Sequence, residues 1–99
     1  MAGYNIEVTE DARADLKYYT IAERKIVVSQ IKVRLEDQPS TETRNRKKLR
    51  DNPIATWELR IGKFRVFYEV DEPTRLVTIT VVGHKEHNIL YVRGIEVRI

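Results

Sequence analysis

The fold is decided by the stretch Trp57-Glu58-Leu59-Arg60-Ile61-Gly62-Lys63-Phe64-Arg65-Val66-Phe67-Tyr68, in which apolar and polar residues alternate on both sides of a glycine. A period of two is typical of β-strands that bury one face. The alternation predicts one strand over Trp57–Ile61 and a second over Phe64–Val70. Because Gly62-Lys63 suits a two-residue turn between them, the whole stretch predicts a β-hairpin.

The residues before this hairpin predict one strand and two helices. Tyr4–Val8 alternates apolar and polar side chains, as a half-buried strand does. Thr9 offers an N-cap hydroxyl to an amphipathic helix over residues 10–19. Thr20 can cap a second helix, which must end before Pro39. So short a connection between two helices predicts a helical hairpin.

The residues after the hairpin predict a turn over 71–75 and a β-branched strand over Leu76–Val82. The pattern of Tyr91–Ile99 fits a strand, a short helix or an extended tail. The resulting order is β-α-α-β-β-β with a tail. It predicts an α+β fold, with residues 1–99 as one domain, in which a helical hairpin packs on one face of a small, largely antiparallel sheet.

The composition excludes several classes of protein. A chain of 99 residues, 41% of them hydrophobic, has room for one core but not for a separate cofactor domain. The absence of cysteine excludes disulfide scaffolds, thiolate nucleophiles and iron–sulfur clusters. No apolar run approaches the roughly 18 to 20 residues of a membrane span, and the first residues lack a signal-peptide pattern. We therefore expect a soluble, cytoplasmic protein that does not contact membranes.

The net charge of +3 is unevenly distributed, because the surplus of cations lies in the second half of the chain. Arg44–Arg50 alone places five cations in seven residues. Such a cluster attracts polyanions, since each neutralised phosphate releases a counterion; a solvated loop is the alternative. The candidate RNA-binding residues are Arg44, Arg46, Lys47, Lys48, Arg50, Arg60 and Lys63.

Glu58, Arg60 and Arg65 are candidate functional residues on the predicted hairpin. Strand alternation directs them away from the face that carries Trp57 and Val66. A guanidinium on a rigid strand can hold a phosphate through two parallel hydrogen bonds. The alternative is that these residues face solvent and pair with one another, for instance Arg65 with Glu58.

A second candidate group is the segment Gly83-His84-Lys85-Glu86-His87, directly after the last predicted strand. Its histidines can exchange protons near neutral pH, because an unperturbed histidine titrates at about 6.5. An exposed loop or helix-capping charges are the alternatives, and two histidines without a third ligand are a weak zinc signal. Tyr91 can stack on a base or relay a proton, with half-buried packing as the alternative. No sequence motif points to a cofactor, so none is expected.

Together these features resemble the RelE/ParE toxin superfamily over nearly the whole chain. The resemblance is carried by the β-α-α-β-β-β order, the basic stretch ending in Lys47-Lys48-Leu49-Arg50, the strands from Trp57 to Asp71, and the segments Val81–Lys85 and Tyr91. Members of this superfamily are the toxins of type II toxin–antitoxin pairs. The RelE branch cuts mRNA in the ribosomal A site, whereas the ParE branch poisons DNA gyrase.

The resemblance to the RelE branch implies roles for individual residues. Arg65 would stabilise the charge that builds on the scissile phosphate, Lys85 would supply a second cation, and Tyr91 would stack on the RNA. These three residues would have to meet across one positively charged hollow. His84 or His87 would supply the histidine that some members use in this late segment.

One departure from the RelE pattern concerns Thr56 and Glu58, which stand where the best-known RelE enzymes carry two lysines. Glu58 would then act as a carboxylate base or as the partner of Arg65. The resemblance favours a ribosome-dependent mRNA endoribonuclease, in which an RNA 2′-hydroxyl attacks its own 3′-phosphate. A gyrase inhibitor without catalysis and an inactive antitoxin-binding homologue are the alternatives. All three imply a cognate antitoxin in a hetero-oligomer, and the nuclease adds the ribosome and mRNA as partners.

Overall fold

The computed structural model describes residues 3–98, which form two helices and a seven-stranded sheet. Along the chain the elements are β1 (Asn5–Val8), α1 (Glu10–Lys17), α2 (Ile21–Leu35), β2 (Arg46–Lys48), β3 (Trp57–Ile61), β4 (Phe64–Asp71), β5 (Leu76–Glu86), β6 (Ile89–Val92) and β7 (Ile95–Val97). The sheet order is β2-β3-β4-β5-β6-β7, and neighbouring strands in this series are antiparallel. Strand β1 pairs with β5 in parallel.

Both helices begin at the threonines that the sequence predicts as caps. Thr9 Oγ1 accepts a hydrogen bond from the Ala12 N–H at 3.1 Å, which satisfies one free donor of the first turn of α1. Thr20 Oγ1 accepts from the Glu23 N–H at 3.1 Å, and the Glu23 carboxylate accepts from the Thr20 N–H at 3.0 Å. This reciprocal capping box separates α2 from α1.

The helices cover one face of the sheet and leave the other face without a helix. Its helix face packs against α1 and α2, and the core there includes Ala12, Leu16, Val27, Ile31, Leu35, Trp57, Leu59, Val66, Tyr68 and Ile79. The opposite face, called here the helix-free face, carries a smaller apolar cluster built around Phe67, Ala55 and Leu90. The helical hairpin on one face of a largely antiparallel sheet confirms the α+β prediction.

The predicted end of the last strand at Val82 is wrong, because β5 continues to Glu86. The long β4 supplies partners beyond that point: Arg65 lies opposite Gly83 and Phe64 opposite His84. Strand β6 pairs with the same end of β5, and β7 pairs with β6. The sequence leaves strand, short helix and extended tail as alternatives for residues 91–99. In the structure this segment contributes the end of β6 and all of β7, and Ile99 lies outside the described residues.

One edge of β5 is shared by β1 and β6, and a short gap separates the two. Asp15 of α1 fills this gap, because its Oδ2 accepts a hydrogen bond from the Val82 N–H at 3.0 Å. Its Oδ1 lies 2.8 Å from Nε of Arg93, in the turn between β6 and β7. Burial raises the pKa of the Asp15 carboxyl, against the opposing effects of the Val82 hydrogen bond and the Arg93 charge. Asp15 thus joins α1, β5 and the C-terminal hairpin.

Candidate functional site

The strand register brings four charged candidates to the helix-free face. Arg60 on β3 lies opposite Arg65 on β4, and Glu58 precedes Arg60 by two residues on the same side of β3. Arg65 in turn lies opposite Gly83, and Lys85 follows Gly83 by two residues along β5. Because side chains two residues apart share a face, Lys85 is on the same face as Arg65.

Glu58 is the buried centre of this group, since only 2% of the residue is exposed. Its Oε1 accepts a hydrogen bond from Nε of Arg60 at 3.1 Å, and its Oε2 lies 3.8 Å from Nε of Arg65. Lys47 on β2 is the register partner of Glu58, which places a further cation on the same face. Glu58 is therefore not an ordinary solvent-facing residue but a buried carboxylate beneath two arginines.

Arg65 is held at the β3–β4 turn by main-chain acceptors. Its Nη1 donates to the carbonyl of Gly62 at 2.7 Å and to that of Phe64 at 2.9 Å. Its Nε is buried and has no hydrogen-bond partner among the described residues. Burial lowers the pKa of Arg65, and the Glu58 carboxylate opposes that shift. The guanidinium is thus anchored on one side, while 15% of the side chain stays exposed.

His84 and Tyr91 form a separate group on the helix face. The Tyr19 hydroxyl lies 2.6 Å from Nδ1 of His84, and burial raises the pKa of Tyr19, so this hydroxyl stays protonated. Nε2 of His84 lies 3.1 Å from Oε2 of Glu86. The ring of Tyr91 stacks on His84 with centroids 5.6 Å apart. His84 therefore ties α1 to β5 and β6.

The structure does not assemble Arg65, Lys85 and Tyr91 in a single hollow. Arg65 and Lys85 lie on the helix-free face, whereas Tyr91 is the register partner of His84 and lies with it on the helix face. The two groups lie on opposite faces of β5, whose successive residues alternate between the faces. Glu58 belongs with the arginines, and His84 belongs with Tyr91.

Two other candidates lie in turns. His87 is exposed and, with Asn88, forms the two-residue turn between β5 and β6; both have positive φ, of 51° and 65°. Lys63 lies in the β3–β4 turn, where its Nζ is 3.5 Å from Oε2 of Glu23 and 5.4 Å from the centre of the Phe64 ring. Lys63 therefore contacts the start of α2 rather than Arg65.

The basic cluster divides between structural and free cations. Arg46 donates from Nη1 to the Arg34 carbonyl at 2.7 Å and from Nε to the Thr41 carbonyl at 3.0 Å, so it caps the C-terminal end of α2. Lys47 stands on the helix-free face opposite Glu58. The remaining cluster members have exposed side chains at one end of the sheet: Arg44, Lys48 and Arg50.

Comparison with protein families identifies the family of this chain. Residues 6–89 match the family described as ParE toxin of the type II toxin–antitoxin system, parDE. The chain belongs to this family. The match includes both helices, the β3–β4 hairpin with Glu58 and Arg65, and all of β5. No curated protein sequence matches the chain.

Solved structures of toxin–antitoxin complexes are similar to this ParE-family chain. One is the RelBE2 complex from Mycobacterium tuberculosis, at 29% identity and a TM-score of 0.75 over 86% of this chain and 94% of that one. The archaeal RelE–RelB complex from Pyrococcus horikoshii is 18% identical, with a TM-score of 0.68 over 88% and 99%. The Escherichia coli RelBE complex is 19% identical, with a TM-score of 0.57 over 85% and 99%. The latter two show the shared fold.

Two residues that organise this ParE-family fold, Asp15 and Tyr19, are not among the predicted site residues. Asp15 and Tyr19 share one face of the predicted first helix with the apolar Ala12 and Leu16, at the spacing i, i+3, i+4 and i+7. A carboxylate on that face was the available signal for a buried hydrogen-bonding role. Neither helix within residues 3–98 is long and apolar enough to cross a membrane.

Proposed function

We propose that this ParE-family toxin is a ribosome-dependent endoribonuclease whose substrate phosphate binds at Arg65. The observation that supports the proposal is that the Gly62 and Phe64 carbonyls hold the Arg65 guanidinium, while the buried Glu58 carboxylate lies 3.8 Å from its Nε. Lys47, Arg60 and Lys85 add positive charge on the same face. A guanidinium fixed before substrate arrives is suited to stabilise charge that develops in a transition state.

The proposed reaction is attack by an RNA 2′-hydroxyl oxygen on the adjacent 3′-phosphorus. The bond from phosphorus to the 2′-oxygen forms, the bond to the 5′-oxygen of the next nucleotide breaks, and that oxygen leaves as a hydroxyl group after taking a proton from solvent water. Arg65 and Lys85 would bind the non-bridging phosphate oxygens and stabilise their growing charge. Glu58 would accept the 2′-hydroxyl proton once Arg60, whose side chain is 43% exposed, turns toward the phosphate and frees Oε1. His84 and Tyr91 would maintain the position of β5 from the helix face, while His87 would lie at the rim.

We also propose that the partners are a cognate antitoxin and, during the reaction, the ribosome with its mRNA. The similar chain from Mycobacterium tuberculosis was solved in a toxin–antitoxin complex, at 29% identity. The exposed cations Arg44, Lys48 and Arg50 would contact ribosomal RNA through its phosphates. A toxin–antitoxin hetero-oligomer in the cytoplasm would be the resting form.

The proposal is tested by comparing Arg65→Ala with Arg60→Ala on ribosome-bound mRNA. Both variants remove one arginine from Glu58, so they are matched in charge and location. We expect Arg65→Ala to reduce cleavage at least about 100-fold, the effect typical of losing a transition-state donor, and Arg60→Ala to reduce it much less. Intact mRNA with folded wild-type protein at every codon tested would overturn the nuclease.

Inhibition of DNA gyrase without catalysis is the second candidate. It is favoured by the separation of Tyr91 from Arg65 on opposite faces of the sheet. A gyrase inhibitor would stop supercoiling and trap cleaved DNA complexes while leaving ribosome-bound mRNA whole. A chain that affects neither gyrase nor mRNA, and does not arrest growth, would instead be an inactive antitoxin-binding homologue.

A further inference from the structure

Strand β7 is the last strand of the sheet, and its outer edge is unpaired. It pairs with β6 on one side, and no strand within residues 3–98 lies on the other. Ile95 and Glu96 are exposed on this strand, and so is Arg98 directly after it. Because an exposed strand edge can add a further strand, a second chain can bind at β7.

The opposite end of the same series of strands, at β2, is covered by the chain itself. The Arg46 carbonyl accepts a hydrogen bond from the Thr43 N–H at 2.9 Å. The Lys48 N–H donates to Oε2 of Glu42 at 3.4 Å. The outward main-chain groups of β2 are therefore already bonded, whereas β7 has no such cover among the described residues.

The β6–β7 turn determines which main-chain groups of β7 are free. Its two residues both have positive φ, of 50° and 76°. In a two-residue hairpin of this kind the closing residues, here Val92 and Ile95, exchange hydrogen bonds with each other. Since successive residues direct their main-chain groups to opposite edges, the N–H and carbonyl of Glu96 point outward. Those of Arg98 also point outward in a strand that is one residue longer.

These outward groups suit an antiparallel second copy of the same strand. When Val97 of one copy lies opposite Val97 of the other, Glu96 lies opposite Arg98 on both sides of that centre. Each Glu96–Arg98 pair can exchange two main-chain hydrogen bonds, because the groups of both residues point outward. Opposite charges directly across from one another also stabilise a pair of strands. A register centred on Glu96 or on Arg98 would instead set like charges against each other.

The two charges are available for this exchange of partners. Within one chain, Nε of Arg98 donates to Oε2 of Glu96 at 3.2 Å. The Arg98 side chain is 90% exposed and that of Glu96 is 43% exposed, so their ion pair is screened by water and contributes little. Each side chain can therefore turn to the opposite charge on a second copy.

The helix-free face adds apolar contact to the same pairing. Val97 lies opposite Leu90 of β6, which belongs to the apolar cluster around Phe67. In the register centred on Val97, the two Val97 side chains occupy a non-hydrogen-bonded position, where opposite side chains are closest. Ile95, which is 69% exposed, would lie diagonally across from Val97 of the second copy. The apolar cluster would thus continue from one copy to the other.

We propose that two copies of this chain associate through β7, in the register centred on Val97, to form one continuous sheet. The two-fold axis of such a pair is perpendicular to the sheet, so the helix-free faces of both copies point to the same side. The inference goes beyond the proposed nuclease, because it depends on β7 and not on Arg65. A contact made by so short a strand buries little area, so the association is weak.

The test is a set of charge reversals, followed by sedimentation equilibrium of the full chain. Glu96→Arg and Arg98→Glu each place like charges opposite one another in a homodimer. An equimolar mixture of these two variants restores opposite charges in a heterodimer, and the double variant restores them in a homodimer. Glu7→Arg, an exposed position on the edge strand β1, is the matched control.

We expect the unmodified chain to form dimers at concentrations up to about 1 mM, with slower amide exchange at Glu96 and Arg98 as the concentration rises. Each single reversal should weaken self-association about tenfold or more, whereas the double variant, the mixture and Glu7→Arg should stay within about threefold of the unmodified chain. Monomers alone at the highest concentration overturn the proposal. Single reversals that associate like the unmodified chain, a mixture that stays monomeric, or loss of the dimer in Glu7→Arg overturn it as well.

Discussion

Replacement of Glu58 by Gln removes the buried negative charge beneath two arginines and keeps the shape of the side chain. Arg60 is 43% exposed, so losing its partner costs about 0.5 kcal/mol. Arg65 is only 15% exposed, and its buried Nε has no hydrogen-bond partner among the described residues, so its charge would become uncompensated. Because Arg65 lies near the surface, we take about 2 kcal/mol as the cost of leaving its charge without Glu58, which is below the usual cost of breaking a fully buried pair. The free energy of unfolding should therefore fall by about 2 to 3 kcal/mol.

Urea unfolding of a double-mutant cycle measures this coupling. The cycle combines Glu58→Gln with Arg65→Met, and a matched cycle combines it with Arg60→Met. We expect a coupling energy above about 1 kcal/mol for Arg65 and below about 0.5 kcal/mol for Arg60. If the coupling to Arg65 is no greater than the coupling to Arg60, Glu58 does not stabilise the Arg65 guanidinium, and the proposed ion pair between them is refuted.

Three further predictions concern the links between α1, β5 and β6. Burial raises the pKa of Asp15 above its ordinary 3.8, so the folded state keeps the carboxyl proton at a higher pH than the unfolded state does. The free energy of unfolding, measured with urea, should therefore fall as the pH rises above about 4. Asp15→Asn should remove this pH dependence. Tyr19→Phe loses the 2.6 Å hydrogen bond to buried His84 and should cost about 1 to 2 kcal/mol by the same urea assay. Gly83→Ala would place a Cβ 2.5 Å from the Tyr91 carbonyl oxygen, so amide exchange in β6 should accelerate.

The hairpin and the caps were predictable because their signals are local. Alternation from Trp57 to Val70 predicts both the strands and the face that each side chain takes. The hydroxyls of Thr9 and Thr20 likewise predict where the helices begin, since a cap acts within one helical turn. For these elements, neighbours in sequence are also the neighbours that stabilise the structure.

The candidate site was less predictable because it depends on partners distant in sequence. The alternation places Glu58 on the correct face but does not predict that it is buried. Its burial requires β2 to pair with β3, and it requires Arg60 and Arg65 to lie over the carboxylate. The length of β5 is set by β4 and β6, so the residues beyond Gly83, for which an exposed loop is one of the alternatives in the sequence, form strand. That extension decides the faces of His84 and Lys85.

Residues on the two faces of β5 should affect activity for different reasons, ligand binding on one face and folding stability on the other. An activity assay alone does not distinguish the two. Lys85 projects from it to the helix-free face beside Arg65, while His84 projects to the opposite face against Tyr19 and Tyr91. Loss of Lys85 should weaken binding of a phosphate-bearing ligand with little change in folding, because its charge lies at the surface. Loss of His84 should first lower stability, because it leaves the buried Tyr19 hydroxyl unpaired. If removing Lys85 and removing His84 each reduce RNA cleavage, but only the removal of His84 lowers stability, catalysis takes place on the helix-free face.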